Sequence, residues 1–294
     1  MSIKLKKISK KFNSRSFFKS SPLLVLDSID LNLSKGDILG ISGPNGAGKT
    51  TLFKIISGLI EPSSGEVAID NRFNKYFAYI NTNSRSFYWR LSARDNFIFH
   101  GKLLNLSNNE IEKSIVELSN KFEVEDILDI PFMKLSSGQM QTMSIIRGLL
   151  KKPDYLILDE ATTSLDIQKS NRILIEIKKF IIKNNIPTIW CSHDIEEVEF
   201  MCNRFSILNK GELQILSKND FKNYKKKLSH YCFEIKKQDL RKLASIKKVK
   251  ILSEFKNSSI VKFEESIDLK DNLKLFVNND IDVIEIFNKK NIDY

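Results

Sequence analysis

Apolar and polar positions alternate in short runs over residues 3–12 (IKLKKISKKF) and 23–33 (LLVLDSIDLNL), which predicts strands. DILGIS at 37–42 is a compact apolar run and predicts another strand, with a glycine-rich turn behind it. TTLFKIISGLI at 50–60 then sets its apolar residues at helical spacing. Pro62 and Gly65 punctuate a turn before the strand-like GEVAID. From about 92 to 150 the pattern is mostly helical, with polar breaks at 105–109 and 129–138. YLILD at 155–159 reads as a buried strand, 168–183 as an amphipathic helix, IPTIWCS at 186–192 as a second buried strand, and 194–202 as a short helix. FSILNKGELQIL predicts a hairpin turning at Asn209-Lys210-Gly211. Strands that alternate with helices predict an α/β fold, with a parallel sheet covered on both faces.

The texture changes after about residue 217. A lysine-rich stretch, KNDFKNYKKKL, is expected to separate a tail of roughly seventy-five residues. HYCFEIK and VKILSEF read as strands, Asn257-Ser258-Ser259 as a turn and IVKFEE as a strand. A helix near 270–277 and a last strand, DVIEIF, complete a small α+β domain. The expected division is 1–217 and 218–294, and no internal repeat is visible.

Composition adds bounds. A chain of 294 residues, 41% hydrophobic and 28% charged, is ordinary for a soluble globular protein. No apolar run approaches the ~20 residues of a membrane span. The start, MSIKLKKISKKF, lacks the apolar segment of a secretory signal, so a cytosolic chain is expected. Cys191, Cys202 and Cys232 fit no zinc spacing and read as packed residues. A net charge of +11 suits nucleic acid or an anionic membrane surface. The lysines are spread rather than focused, however, which favours simple composition.

Gly43, Pro44, Asn45, Gly46, Ala47, Gly48, Lys49 and Thr50 fit G-x-x-x-x-G-K-[ST], between a strand and a helix. Glycines let the backbone wrap a phosphate chain, and its N–H groups offer positive charge at a helix start. Lys49 is suited to the β- and γ-phosphates and the Thr50 hydroxyl to Mg²⁺. Asp159 and Glu160 end the buried strand YLILD, where ligands of open α/β sheets bind. Asp159 can hold the metal, and Glu160 is placed to polarise a water. Leu135-Ser136-Ser137-Gly138-Gln139 lies between these segments and leads into the helix MQTMSIIRGLL.

With these residues together, the chain resembles the nucleotide-binding subunit of an ABC transporter. GPNGAGKT resembles that family's Walker A, LSSGQ its signature and YLILDE its Walker B. Ser164-Leu165-Asp166 resembles the D-loop and Cys191-Ser192-His193-Asp194 the switch-histidine segment. The likeness covers about residues 3–217, five motifs in order. It implies a P-loop ATPase core with an antiparallel β subdomain and a helical subdomain over about 84–150. The tail, ending in IEIF, is similar to the small C-terminal domain of exporter-type subunits.

The resemblance implies two domains that sandwich two ATPs. Each phosphate loop, with Thr51 behind it, would face the other copy's Ser136, Ser137, Gly138 and Gln139, and Asp166. His193 would hold the γ-phosphate and the water, with Glu160 as general base. Phe12 would stack on adenine, with Phe17, Phe18 and a plain core role as rivals. Ser137 departs from the signature's usual glycine, and Ala161 stands where many members carry proline. The family's metal-binding glutamine has no counterpart, because Thr82 or Asn83 falls there and Asn83 is one methylene shorter. Asn83 is nonetheless the expected third metal ligand.

One stretch, NSRSFYWRL at 83–91, sets three aromatics between arginines. In the family this segment lines the groove for a membrane partner's cytoplasmic helix. Phe87, Tyr88 and Trp89 would supply apolar contact there, and Arg85 and Arg90 the rim. The rival reading is that one or two of the rings fill the helical subdomain's own core. A rival reading is a soluble ABC-type ATPase acting on nucleic acid or ribosomes, since aromatics with arginines also stack bases. Such proteins usually carry paired ATPase domains, a coiled coil or zinc sites, which this chain lacks. The expectation is therefore an ATPase at the cytoplasmic face of the membrane, working with separate transmembrane subunits and no direct nucleic acid.

Overall fold

The computed structural model describes residues 2–13, 22–69, 75–81, 86–228, 231–246, 249–254, 257–263 and 269–288. Two compact units divide the chain, Met1–Leu216 and Ser217–Tyr294. The first opens with β1 (Ser2–Asn13), β2 (Pro22–Ser34), β3 (Ile38–Ser42), α1 (Lys49–Ile56), β4 (Ser64–Ile69) and β5 (Phe77–Asn81). Three helices follow: α2 (Ala93–Leu103), α3 (Asn108–Phe122) and α4 (Ser137–Leu149). It continues through β6 (Tyr155–Asp159), α5 (Ile167–Asn184), β7 (Thr188–Cys191), α6 (Ile195–Met201), β8 (Arg204–Asn209) and β9 (Glu212–Leu216).

Six of these strands form one sheet in the order β5-β6-β7-β3-β8-β9. It is parallel from β5 to β8, and β9 returns antiparallel. The β8–β9 hairpin turns through Lys210 and Gly211, at φ of 48° and 84°, as a two-residue turn of this twist requires. A separate antiparallel sheet runs β2-β1-β4. The central strands are buried on both faces: Tyr155, Leu156, Ile157 and Leu158 of β6 are all but inaccessible, as are Leu39 and Ile41 of β3. This is why they read as unbroken apolar runs rather than alternations. Leu52, Phe53, Ile55 and Ile56 of α1 pack into the same cluster with Leu5, Ile8 and Leu31 of the antiparallel sheet. Each such side chain contributes about 1.5–3 kcal/mol by leaving water.

Register decides where the strands end. Asn81 stands beside Asp159, and Asp159 beside Cys191, so β5, β6 and β7 finish in line.

The helices α2, α3 and α4 share one kind of start. Ser92 with Asp95, Ser107 with Glu110, and Ser136 with Gln139 each form a reciprocal capping box. The ring of Phe87 is buried and stacked on Phe132, with centroids 4.1 Å apart and planes 6° from parallel. It belongs to the interior, which removes it from the expected docking rings. Tyr88 and Trp89 remain about half exposed.

The second unit starts with α7 (Lys218–Leu228), where a lysine-rich separating stretch was expected. Ser217 accepts from the Asp220 N–H at 3.1 Å and caps it, and Phe221 is buried. Lysine is itself a good helix former, so the charge run conceals a helix rather than replacing one. Then come β10 (Tyr231–Lys236), α8 (Leu240–Ile246), β11 (Val249–Glu254), β12 (Ser258–Phe263), α9 (Leu269–Asn278) and β13 (Val283–Asn288). Their sheet is antiparallel in the order β11-β12-β10-β13. Phe233, Ile235, Leu243, Val261, Phe276 and Ile281 make its core. Ser258 and Ser259, read above as a turn, are strand residues paired with Lys236 and Ile235. Helix α8 was not foreseen. Among the described residues, no helix is long and apolar enough to cross a membrane.

Candidate functional site

The loop from β3 to α1 is shaped by Gly43. Its φ is 152°, and a Cβ there would stand 2.0 Å from the Leu208 carbonyl oxygen, so only glycine fits. The loop holds Pro44, Asn45, Gly46 and Ala47, and the Ala47 N–H donates to the Pro44 carbonyl at 3.2 Å. Lys49 folds back over it, donating to the carbonyls of Gly43 at 2.6 Å and Pro44 at 3.1 Å. Helix α1 begins after Gly48 with no side-chain cap and no acidic residue in its first turn, which includes Thr50 and Thr51. Its first N–H groups therefore stay open to an anion.

Asp159 lies beside that opening. Its Oδ2 is 3.4 Å from the Thr50 hydroxyl and accepts from the Tyr79 hydroxyl at 2.9 Å. Burial and then the Asp159 charge push the Tyr79 phenol up, so it stays a donor. Tyr79 was not foreseen in this role, because only the strand register brings it to Asp159. Glu160 follows in the left-handed region at φ 57°, with its N–H on the Cys191 carbonyl at 3.0 Å. The Thr163 hydroxyl donates to the Glu160 carbonyl at 3.0 Å and to its carboxylate at 3.2 Å. His193, half exposed, places Nε2 at 3.3 Å from Glu160 Oε1. Beneath them burial, then the charges of Asp159 and Glu160, push the Cys191 thiol up and keep it neutral.

The other predicted residues gather elsewhere. Ser136 Oγ accepts the Gln139 N–H at 3.2 Å, and the Gln139 side chain accepts the Ser136 N–H at 2.8 Å. A Cβ on Gly138 would meet the Ser164 carbonyl at 3.2 Å, so the segments approach closely. Together with Ser137, Leu165 and Asp166 they line a cavity of about 420 Å³, to which no phosphate-loop residue contributes. Asp166 also caps α5, accepting the Lys169 N–H at 2.9 Å. Phe12 is exposed at the end of β1, opposite Leu23, with the Lys10 ammonium 5.2 Å from its ring centroid. Thr82, Asn83, Phe17 and Phe18 lie outside the described residues, as does Arg85.

Two features escaped the sequence reading. Arg147 lies 3.8 Å over the Phe87 ring and donates to the Ser86 carbonyl at 2.8 Å. Burial brings its guanidinium down to about 10, and burial with the Arg147 charge brings His100 down to about 4. Both line a groove of about 320 Å³ with Ser86, Tyr88, Phe99 and Leu103. The second feature is Glu197, buried in the first turn of α6. It accepts from the Thr162 hydroxyl at 2.8 Å and the Trp190 indole at 3.0 Å. Neither was visible, since both depend on partners far along the chain.

A phosphate loop over a mostly parallel sheet, with two acids at the end of a neighbouring strand, defines a P-loop ATPase fold. The ABC transporter family profile matches residues 26–163. The ABC transporter ATP-binding protein NatA of Bacillus subtilis is 30% identical over 203 residues, 66% of this chain and 82% of that protein. The linearmycin resistance ATP-binding protein LnrL of the same organism is 32% identical over 196 residues, 64% of this chain and 63% of that one. Relatives of similar identity carry import names, among them a spermidine/putrescine import ATP-binding protein of Thermotoga maritima. Among solved structures, a dimeric ATP-binding cassette in a post-hydrolysis state bound to ADP and Pi superposes with a TM-score of 0.63 at 27% identity. That match covers 73% of this chain and 99% of the cassette. The chain belongs to the ABC transporter family, as an ATP-binding protein.

Proposed function

We propose that this chain is the ATP-hydrolysing subunit of an ABC transporter, of exporter type, acting at the cytoplasmic face of a membrane. The observation that carries it is the convergence of Lys49, Thr50, Asp159, Glu160 and His193 on one opening at the sheet's end. The open start of α1 and Lys49 bind the triphosphate of ATP. Oxygen donors alone, Thr50 and Asp159, suit Mg²⁺, which keeps waters and phosphate oxygens for its remaining positions. Among the described residues no cluster of three metal-ligating side chains competes for the ion. Bound Mg²⁺ would neutralise charge on the phosphates. Glu160 acts as general base toward the attacking water, and His193, within reach of it, holds water and γ-phosphate in place. Ser136, Ser137, Gly138, Gln139 and Asp166 face a second copy's nucleotide, in keeping with the dimeric cassette that this chain superposes on. Phe12 offers its exposed ring to adenine.

Residues 1–217 form the nucleotide-binding domain and 218–294 an accessory domain. The groove beside Tyr88 and Trp89 receives a separate transmembrane subunit. Its exposed rings and the Arg147 guanidinium beneath suit a partner with apolar residues around a polar tip. The export direction rests on the tail's likeness to the small C-terminal domain of exporter-type subunits, since the relatives carry both resistance and import names. The test is co-purification of tagged protein from gently solubilised host membranes. A stoichiometric polytopic partner, lost with Trp89→Ala, supports the reading. Recovery of RNA or ribosomes without a membrane protein would replace it with a soluble nucleic-acid machine.

A further inference from the structure

Glu197 is a carboxylate where packing alone would place an apolar residue. It is 7% exposed, beside Trp190 at 0% and Thr162 at 5%. Two donors converge on it. The Thr162 hydroxyl lies 2.8 Å from both oxygens, and the Trp190 Nε1–H is 3.0 Å from Oε1. These donors come from two separate segments. Thr162 is in the turn that begins at Glu160, whereas Trp190 is on the strand that leads into His193.

We propose that Glu197 is a positioning residue of the ATPase centre, acting through Thr162 on one side and Trp190 on the other to fix the spacing of Glu160 and His193. The inference rests on the roles given above to those two residues. An ionised carboxylate accepts only, so it serves both donors at once. Protonation turns one oxygen into a donor that faces donors, and the bridge slackens. Burial pushes the Glu197 carboxyl up to about 7, against the pull of its hydrogen bonds, so both forms are populated near neutrality. The ionisable groups set against it are Asp194 at the start of α6 and Cys202 at its end, with Lys178 of α5 acting on Cys202. From the 160–163 turn and β7 it meets the uncharged Thr162 and Trp190. Turnover should rise with pH through about 7 as Glu197 ionises.

The test is the pH profile of ATP hydrolysis by the full chain. Glu197→Gln should lower kcat about tenfold at alkaline pH, leave KM for ATP unchanged, and abolish the acid limb. Thr162→Ser should keep the wild-type profile. Thr162→Val and Trp190→Phe each remove one donor to the charged form, so the limb should move up by about half a pH unit. These two decide the matter if Glu197→Gln fails to fold, which its melting curve reports. A limb that persists in Glu197→Gln and stays put in Thr162→Val and Trp190→Phe assigns it to another group and overturns the proposal. A kcat lowered equally at every pH reduces Glu197 to a packing role. Normal turnover in Glu160→Gln would instead strike the assignment of the base, and is read separately.

Discussion

Helices α1 and α4 both start beside functional segments, but they start differently. Gly48 leaves α1 without a side-chain cap, whereas Ser136 and Gln139 close α4 reciprocally. Four N–H groups at a helix start need partners. At α4 the chain supplies some of them itself, as it does at α2 and α3 with Ser92 and Ser107. At α1 no side chain caps the start, and Lys49 lays a cation on the Gly43 and Pro44 carbonyls beside it. The contrast separates a helix end capped by its own side chain from one that the proposed function completes with a phosphate.

The largest effect should come from the proposed general base beside that end. Glu160→Gln should cut turnover about 10²–10⁴-fold while ATP still binds, measured by phosphate release and nucleotide binding. Unchanged turnover would detach the strand end from the open helix. Lys49→Ala should weaken ATP binding by about 10–100-fold, the worth of one charge-assisted contact. Titration with a fluorescent ATP analogue checks it, and normal affinity would mean that the bare terminus suffices. The smallest effect belongs to the closed ends. Ser136→Ala and Ser107→Ala should each cost about 1 kcal/mol in denaturant unfolding. Only Ser136→Ala should also lower turnover. If Ser107→Ala lowers it equally, the cap of α4 is structural and nothing more.

Much of this was legible along the chain. Buried strands such as YLILD and the loop GPNGAGKT are local patterns, and their structures obey local rules. The contacts that refine the site are not local. Tyr79 meets Asp159 through strand pairing, and Glu197 meets Thr162 across 35 positions. Phe87 reads as a partner-facing aromatic until Phe132 is found stacked on it. Helix α7 was hidden for another reason: three of its last four residues are lysines, and charge masks the helical spacing of Phe221 and Tyr224.

Glu160 occupies a left-handed backbone conformation at φ 57°, which side chains with a Cβ adopt at a cost. The position thus sets stability against activity. Glu160→Gly should relax the turn and raise the unfolding midpoint by the equivalent of about 1 kcal/mol, while abolishing turnover. Selection for robustness alone would remove this acid. If Glu160 is the base proposed above, the left-handed turn is a place where the fold yields stability to chemistry.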